Sequence, residues 1–273
     1  VWIDDADWSP EQGPENAKGI TYAQELAWDL FGHFQQSSDL LGIDAAAAAR
    51  FTALREKLYL PQVSDTTGWL EEWMSSDNLG DVTHRHLSPL IGFFPGDRIR
   101  TEDASPELLQ GVTRLLTARG MTGYGWGCAW RAICWARLKN ADNAYQLLLT
   151  NLLPAKNHSN GTTANFFDFY QLDANADAFQ IDANFGTPTA MLEMLMYSRP
   201  GRIELLPALQ AAWRNGSITG LGARGGFQVD MTWREGKVTA LTIRSVNGGK
   251  TTVVSNGRSF AVSLRPGESR ALA

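Results

Sequence analysis

The stretch SRPGR, residues 198–202, divides the chain into two patterns. Ahead of it, apolar residues recur at helical spacing: Tyr22, Leu26, Leu30 and Phe34 in one long segment, then Phe51, Leu54 and Leu58. Residues 105–118, 127–138, 141–153 and 187–197 repeat that periodicity, with Gly- and Pro-bearing loops between them. Behind it, GFQVDMTW, KVTALTIRSV, KTTVVS and SFAVSLRPG alternate in polarity and are punctuated by glycines, as antiparallel strands are. Runs of helices and runs of strands rarely share one layer, so the pattern predicts two packed units. Residues 1–198 are expected to form a mainly α domain, and residues 199–273 a small antiparallel β domain resembling a sandwich.

Composition narrows the partners. The 273 residues, 44% of them hydrophobic, suffice for one large or two modest domains. Net charge is -5, the pI is near 5.4 and like charges form no long run, so no nucleic-acid or membrane partner is expected. Charged residues make up 19%, against about 25% in an average domain. Ten Trp and twelve Phe suit a cleft with aromatic walls, such as a sugar site, or simply large cores. No apolar stretch reaches membrane-spanning length and no signal-peptide pattern opens the chain, which predicts a soluble protein of open localisation. Cys128 and Cys134, six apart in a predicted helix, point to different faces and read as buried thiols rather than a bridge. Sequons stand at Asn157, Asn160 and Asn215.

Three loops gather chemistry. In DWSPEQGPEN, residues 7–16, Pro10 restricts Ser9 and Gly13 permits a sharp bend. Glu11 between them is either an aimed acid or an ordinary solvated carboxylate. In DVTHRHLSPLIGFFPGDRI, residues 81–99, His84, Arg85 and His86 crowd one turn beside Asp81. A His-x-His pair can bind metal, but the sequence shows no third ligand at suitable spacing and Arg85 opposes a cation, so neither metal nor cofactor is expected. The Arg donor fork and a neutral imidazole suit a polyhydroxylated ligand; alternatively His84 or His86 ties the loop to backbone carbonyls. In AFQIDANFG, residues 178–186, Asp182 stands among Phe179, Ile181 and Phe185. Burial there would raise its pKa, as in a catalytic base, or Asp182 caps a helix expected to begin near Thr187. Two isolated carboxylates, an aromatic scaffold and a donor-rich loop are what glycosidic cleavage needs.

SPEQGP, HRHLSPLIGFFPG, AWRAICWARL, FQIDANFG, ELLPAL and GLGARGGFQVDMTW, in this order, resemble the C-terminal part of glycoside hydrolase family 95. The resemblance implies part of an (α/α)6 barrel, or toroid, followed by a β domain. It implies removal of terminal non-reducing α-L-fucose, usually 1,2-linked, from oligosaccharides or polysaccharides, with inversion and without metal. That substrate class points to an extracellular or periplasmic setting. By resemblance the general acid falls on Glu11 and the base-side aspartate on Asp182. Arg85 and His86 contact fucose hydroxyls, with His84 beside them and Asn184 next to Asp182. Trp126 and Trp130 are candidates for stacking near the cleft. Two alternatives stay open: an α-L-galactosidase of the same family, and a truncated carbohydrate-binding remnant without turnover.

The chain departs from the family pattern at Pro89, where the family often has His. It also lacks the family's upstream barrel segment, with the asparagines that polarise the attacking water. Six to eight helical segments are counted, whereas a closed toroid needs twelve, so the upstream part of its own barrel is expected to be required. An inverting mechanism places the two carboxyls roughly 6.5–9.5 Å apart and keeps the acid protonated. Glu11 should therefore lie in an apolar pocket or near a negative charge.

Overall fold

The computed structural model describes residues 1–75, 80–155, 161–173 and 176–272. The sequons at Asn157 and Asn160 lie outside the described residues, while the Asn215 side chain accepts the Glu235 N–H at 2.9 Å. Residue contacts divide the chain into Val1–Gly127 and Cys128–Ala273. No helix among the described residues is long and apolar enough to cross a membrane.

The first unit is helical. Helix α1, Thr21–Leu41, ends where Gly42 adopts φ 67° and returns its N–H to the Ser38 carbonyl, a left-handed cap that glycine makes without strain. Helix α2, Ala45–Arg55, packs back on it. Phe51 stacks on Phe31 at 5.2 Å and meets Phe34 edge-on at 4.9 Å, and the Arg55 guanidinium lies 3.5 Å over Trp28. The alanine run ahead of Phe51 starts α2 earlier than apolar spacing indicates, because alanine favours helix without marking a face. The predicted stripe of α1 is corrected more sharply. Leu26 and Leu30 are 49% and 64% exposed, whereas the buried positions are Thr21, Gln24, Glu25, Gly32 and Ser38. A polar clamp accounts for Glu25. Its buried carboxylate receives Arg98 Nε at 2.8 and 2.6 Å, and Gly92 lies so near that an added Cβ would stand 2.4 Å from the carboxyl carbon. Helix α3, Pro106–Arg119, follows the expected span: Ser105 caps the Leu108 N–H, and Val112, Leu115 and Leu116 enter the core.

Helix α4, Gly125–Arg137, crosses the division between the units, and α5, Ala141–Leu152, follows. Both cysteines are buried thiols, as their spacing indicates. A three-stranded antiparallel sheet then appears where no strand was expected: β1, Gly161–Thr162, β2, Asp168–Asp173, and β3, Ala176–Phe179. Helix α6, Ile181–Leu195, begins six residues before Thr187. Pro188 reads as a helix start because proline favours the first turn, but here it sits inside the helix. Asp182 therefore lies in the first turn, and Gln180 is the cap residue.

Eight further strands follow among the described residues: β4, Met196–Arg199, β5, Arg202–Leu205, β6, Gly216–Ala223, β7, Phe227–Arg234, β8, Lys237–Ser245, β9, Gly249–Ser255, β10, Arg258–Leu264, and β11, Ser269–Leu272. SRPGR forms the hairpin turn between β4 and β5, with Gly201 at φ 81°. The eight strands form two four-stranded sheets, ordered β10-β9-β5-β4 and β11-β8-β7-β6, and the expectation of wholly antiparallel pairing is corrected at one place. In the first, β5 runs parallel to β9, a pairing between strands far apart in sequence that local alternation cannot reveal. Inward residues of both sheets, including Ile203, Val229, Trp233, Ile243, Val253 and Val262, share one core.

Ile243 is fully buried in that core. Ile243→Ala is expected to lower unfolding free energy by about 2–5 kcal/mol, measured by urea denaturation; a loss below about 1 kcal/mol would contradict this placement.

Candidate active site

Four consecutive residues of the first loop are fastened to the segment that holds His84, Arg85 and His86. Ser9, fully buried, donates to Glu72 Oε1 at 2.6 Å, and Ser88 donates to that same oxygen. The Pro10 carbonyl lies 2.9 Å from His84 Nε2. Glu11 Oε2 accepts from Arg85 Nε at 2.6 Å, is ion-paired to Arg85 Nη2, and lies 3.0 Å from His86 Nε2. Gln12 Oε1 accepts the Asp81 N–H at 2.7 Å. Glu72 is the buried post of this arrangement. Arg119 Nη2 stands 3.4 Å from its Oε2, and Arg119 Nη1 donates to the Asp81 carbonyl. Burial raises the Glu72 pKa, opposed by hydrogen bonds from Ser88 and Ser9 and by the Arg119 charge.

Local backbone explains the aim of Glu11. Its φ is +61°, a left-handed conformation uncommon outside glycine, and Gly13 follows at +77°. An added Cβ on Gly13 would lie 2.6 Å from the Trp73 ring. Beside the carboxylate, the rings of His86 and Trp126 are 5.0 Å apart, and Tyr124 lies parallel to Trp126 at 6.4 Å. The Arg85 guanidinium sits 5.8 Å over Tyr124.

The electrostatics differ from the sequence expectation. The Glu11 side chain is 45% exposed and its pKa is lowered, first by the Arg85 hydrogen bond and further by His86, so no apolar pocket keeps it protonated here. Burial lowers the His84 pKa, which favours a neutral ring. Absence of a third ligand near the His-x-His pair is also overturned. One oxygen of Glu11 and one ring nitrogen each of His84 and His86 lie within 4.8 Å of one another, brought together across more than 70 residues.

Asp182, Asn184 and Trp130 belong to the second unit. Asp182 is exposed, and so are Phe179, Ile181 and Phe185, the last at 69%; the apolar burial expected around Asp182 is not found. Asn184 is engaged with backbone: its Oδ1 accepts the Asp168 N–H at 2.9 Å and its Nδ2 donates to the Phe166 carbonyl at 2.7 Å. Gln180 adds two bonds, its N–H to the Asp168 carbonyl at 2.9 Å and its Nε2 to Asp168 Oδ1 at 2.7 Å. The turn carrying Asp182 is thus fastened to Asp168, which is 2% exposed and whose pKa burial pushes up to about 7. Gly186 lets α6 approach α4, since its added Cβ would be 2.7 Å from that of Ala129.

Glu72, Asp168 and Tyr124 escape a reading of the sequence. Glu72 sits in WLEEWM and Asp168 in FFDFY, and an acid amid aromatic residues was the available signal for both.

Residues 1–195 match the family described as the glycosyl hydrolase family 95 catalytic domain, and residues 197–270 match the C-terminal domain of the same family. Alpha-L-fucosidase 2 of Arabidopsis thaliana is 36% identical over 247 residues, covering 88% of this chain and 28% of that protein. Probable alpha-fucosidase A of Aspergillus niger is 33% identical over 254 residues, covering 84% of this chain and 30% of its own length. The protein of that name from Aspergillus oryzae is 33% identical over 252 residues, with 82% and 33% covered. The chain thus spans a third or less of the length of these relatives.

Removing the shared acceptor by Glu72→Ala is expected to cost about 3–5 kcal/mol, as for other broken buried ion pairs; a urea-denaturation loss under about 1 kcal/mol would contradict the anchoring role. For Asp168, the folded pKa is raised from 3.8 to about 7. The fold binds the extra proton, so this group's contribution is fully favourable below the unfolded pKa and is lost as pH rises toward the folded one. Asp168→Asn should flatten the decline in Tm between those two pH values, and a decline equal to that of the unsubstituted protein would refute the assignment.

Proposed function

The chain belongs to glycoside hydrolase family 95, and from that premise we propose that it forms part of an α-L-fucosidase, with Glu11 as general acid. The substrate is a terminal, non-reducing α-L-fucose, 1,2-linked, on an oligosaccharide or polysaccharide. The observation that carries this reading is the convergence on one carboxylate of a donor fork, an imidazole and an aromatic wall, namely Arg85, His86, Tyr124 and Trp126. The relatives' names supply the sugar.

Residues 1–198, with six α-helices among the described residues, contribute to an (α/α)6 barrel, followed by the β domain at 199–273. The remaining barrel helices come from sequence outside this chain and bring the asparagines that help activate water. Reaction is a single displacement. Glu11 protonates the glycosidic oxygen while water, oriented by Asp182 with those asparagines, attacks the anomeric carbon from the opposite face. Departure of the leaving group and addition of water invert the configuration, and the proton lost by water balances the one Glu11 delivers.

The lowered pKa of Glu11 fits this role if sugar binding changes its surroundings. Fucose hydroxyls compete for Arg85 and His86, the two groups that hold the carboxyl ionised, and a sugar ring over the exposed side chain displaces water. Both changes raise the pKa, so the proton is taken up as substrate arrives. Asn184 and Asp168 act on the other carboxylate by holding the first turn of α6.

One observation favours a second reading. An acid kept ionised in the free protein also suits a site that binds sugar without turning it over. Hydrolysis of 2′-fucosyllactose separates the two. Glu11→Gln and Asp182→Asn should each lower kcat by about 10²–10⁴-fold, and NMR should show β-L-fucose as the first product. Binding without release of fucose, by this chain and by a longer polypeptide that contains it, would establish the second reading; α-L-fucose as first product would refute inversion.

A further inference from the structure

We propose that Glu11, His84 and His86 form a binding site for one divalent ion of the zinc class. One donor atom from each residue lies within 4.8 Å of the other two. Tetrahedral zinc, with bonds of about 2.0–2.2 Å, sets its ligand atoms roughly 3.4 Å apart. Small rotations of Glu11 and His86 would close the difference, while the Ser9 and Gln12 bonds hold the loop backbone and the Pro10 carbonyl holds His84.

The His84 Nε2 faces the Pro10 carbonyl at 2.9 Å, and a carbonyl can only accept, so Nε2 carries the hydrogen and Nδ1 keeps its lone pair. That is the hydrogen bond by which metal-ligating histidines are commonly oriented. His86 now directs Nε2 at Glu11 Oε2 from 3.0 Å; with an ion between them, the ring proton resides on Nδ1 and both atoms bind the metal. Three protein ligands leave a position for water.

Arg85 is the opposing charge. It shares Glu11 Oε2, and its guanidinium lies 5.8 Å over the Tyr124 ring, which gives it a second neighbour when the ion takes the carboxylate. Two imidazoles and one carboxylate favour copper, zinc, nickel and cobalt over magnesium or calcium, which prefer oxygen ligands. Metal binding does not rest on the proposed fucosidase reaction. Inhibition does: an ion on Glu11 occupies the carboxylate that must deliver the proton, and zinc would act as an inhibitor competing with the sugar.

Cobalt(II) titration followed by visible absorption, with zinc titration by calorimetry, tests the site on the folded protein. One ion per chain is expected, with a micromolar Kd, no displacement by magnesium or calcium, and binding weakened roughly tenfold or more by His84→Gln or His86→Gln. Copper(II) electron paramagnetic resonance on the unsubstituted protein should show coupling to two imidazole nitrogens, a readout independent of how the variants fold. Absence of binding tighter than millimolar, equal affinity in folded variants, or fewer than two coupled nitrogens would overturn the site. Zinc binding in a protein that hydrolyses no fucoside would leave the site standing and count only against the fucosidase reading.

Discussion

Burying the Glu72 carboxylate costs several kcal/mol unless hydrogen bonds and charge replace the lost water. Those replacements come from Ser9 and Ser88, one in each of the two loops whose side chains make the site, and from Arg119 behind them. Satisfying Glu72 therefore requires the loops to meet in one register. Ser9 enters the core, Pro10 presents its carbonyl to His84, and Glu11, turned outward at positive φ, faces Arg85 and His86. The placement of Glu11 on the surface is a consequence of the atoms buried beneath it.

The same architecture sets a chemical conflict. Arg85 orders Glu11 but lowers its pKa, whereas an acid catalyst must hold a proton near the working pH. Under the proposed function a sugar would resolve the conflict, since its hydroxyls would draw on the donors that Glu11 now occupies. Coupling protonation to binding would limit proton delivery to the occupied site. In the second unit the order is reversed. Asp182 is exposed and Asp168 is buried, so the first turn of α6 is held by a carboxyl that burial keeps partly protonated near neutrality.

Much of the fold was legible where one face of an element is uniformly buried. β7 alternates along its length, and α3 carries a cap, a proline and an apolar stripe. Legibility failed where polar groups do the packing. The buried face of α1 holds Glu25 and Gln24, and its leucines face outward, so hydropathy pointed to the wrong side. It failed again at Pro188, a start signal placed inside a helix, and at β5 with β9, whose partners lie some fifty residues apart. The candidate residues were recognisable because proline, glycine and histidine mark their loops. Their partners were not, because Glu72 and Asp168 act through contacts made only by the folded chain.

Titration of a ¹³C-labelled Glu11 carboxyl by NMR, with and without saturating L-fucose, tests the central claim most directly. The account predicts a pKa below the ordinary glutamate value of 4.5 in the free protein and a rise when the sugar engages Arg85 and His86. An unchanged pKa in the complex would contradict it, leaving Glu11 an ion-paired surface residue rather than a proton donor.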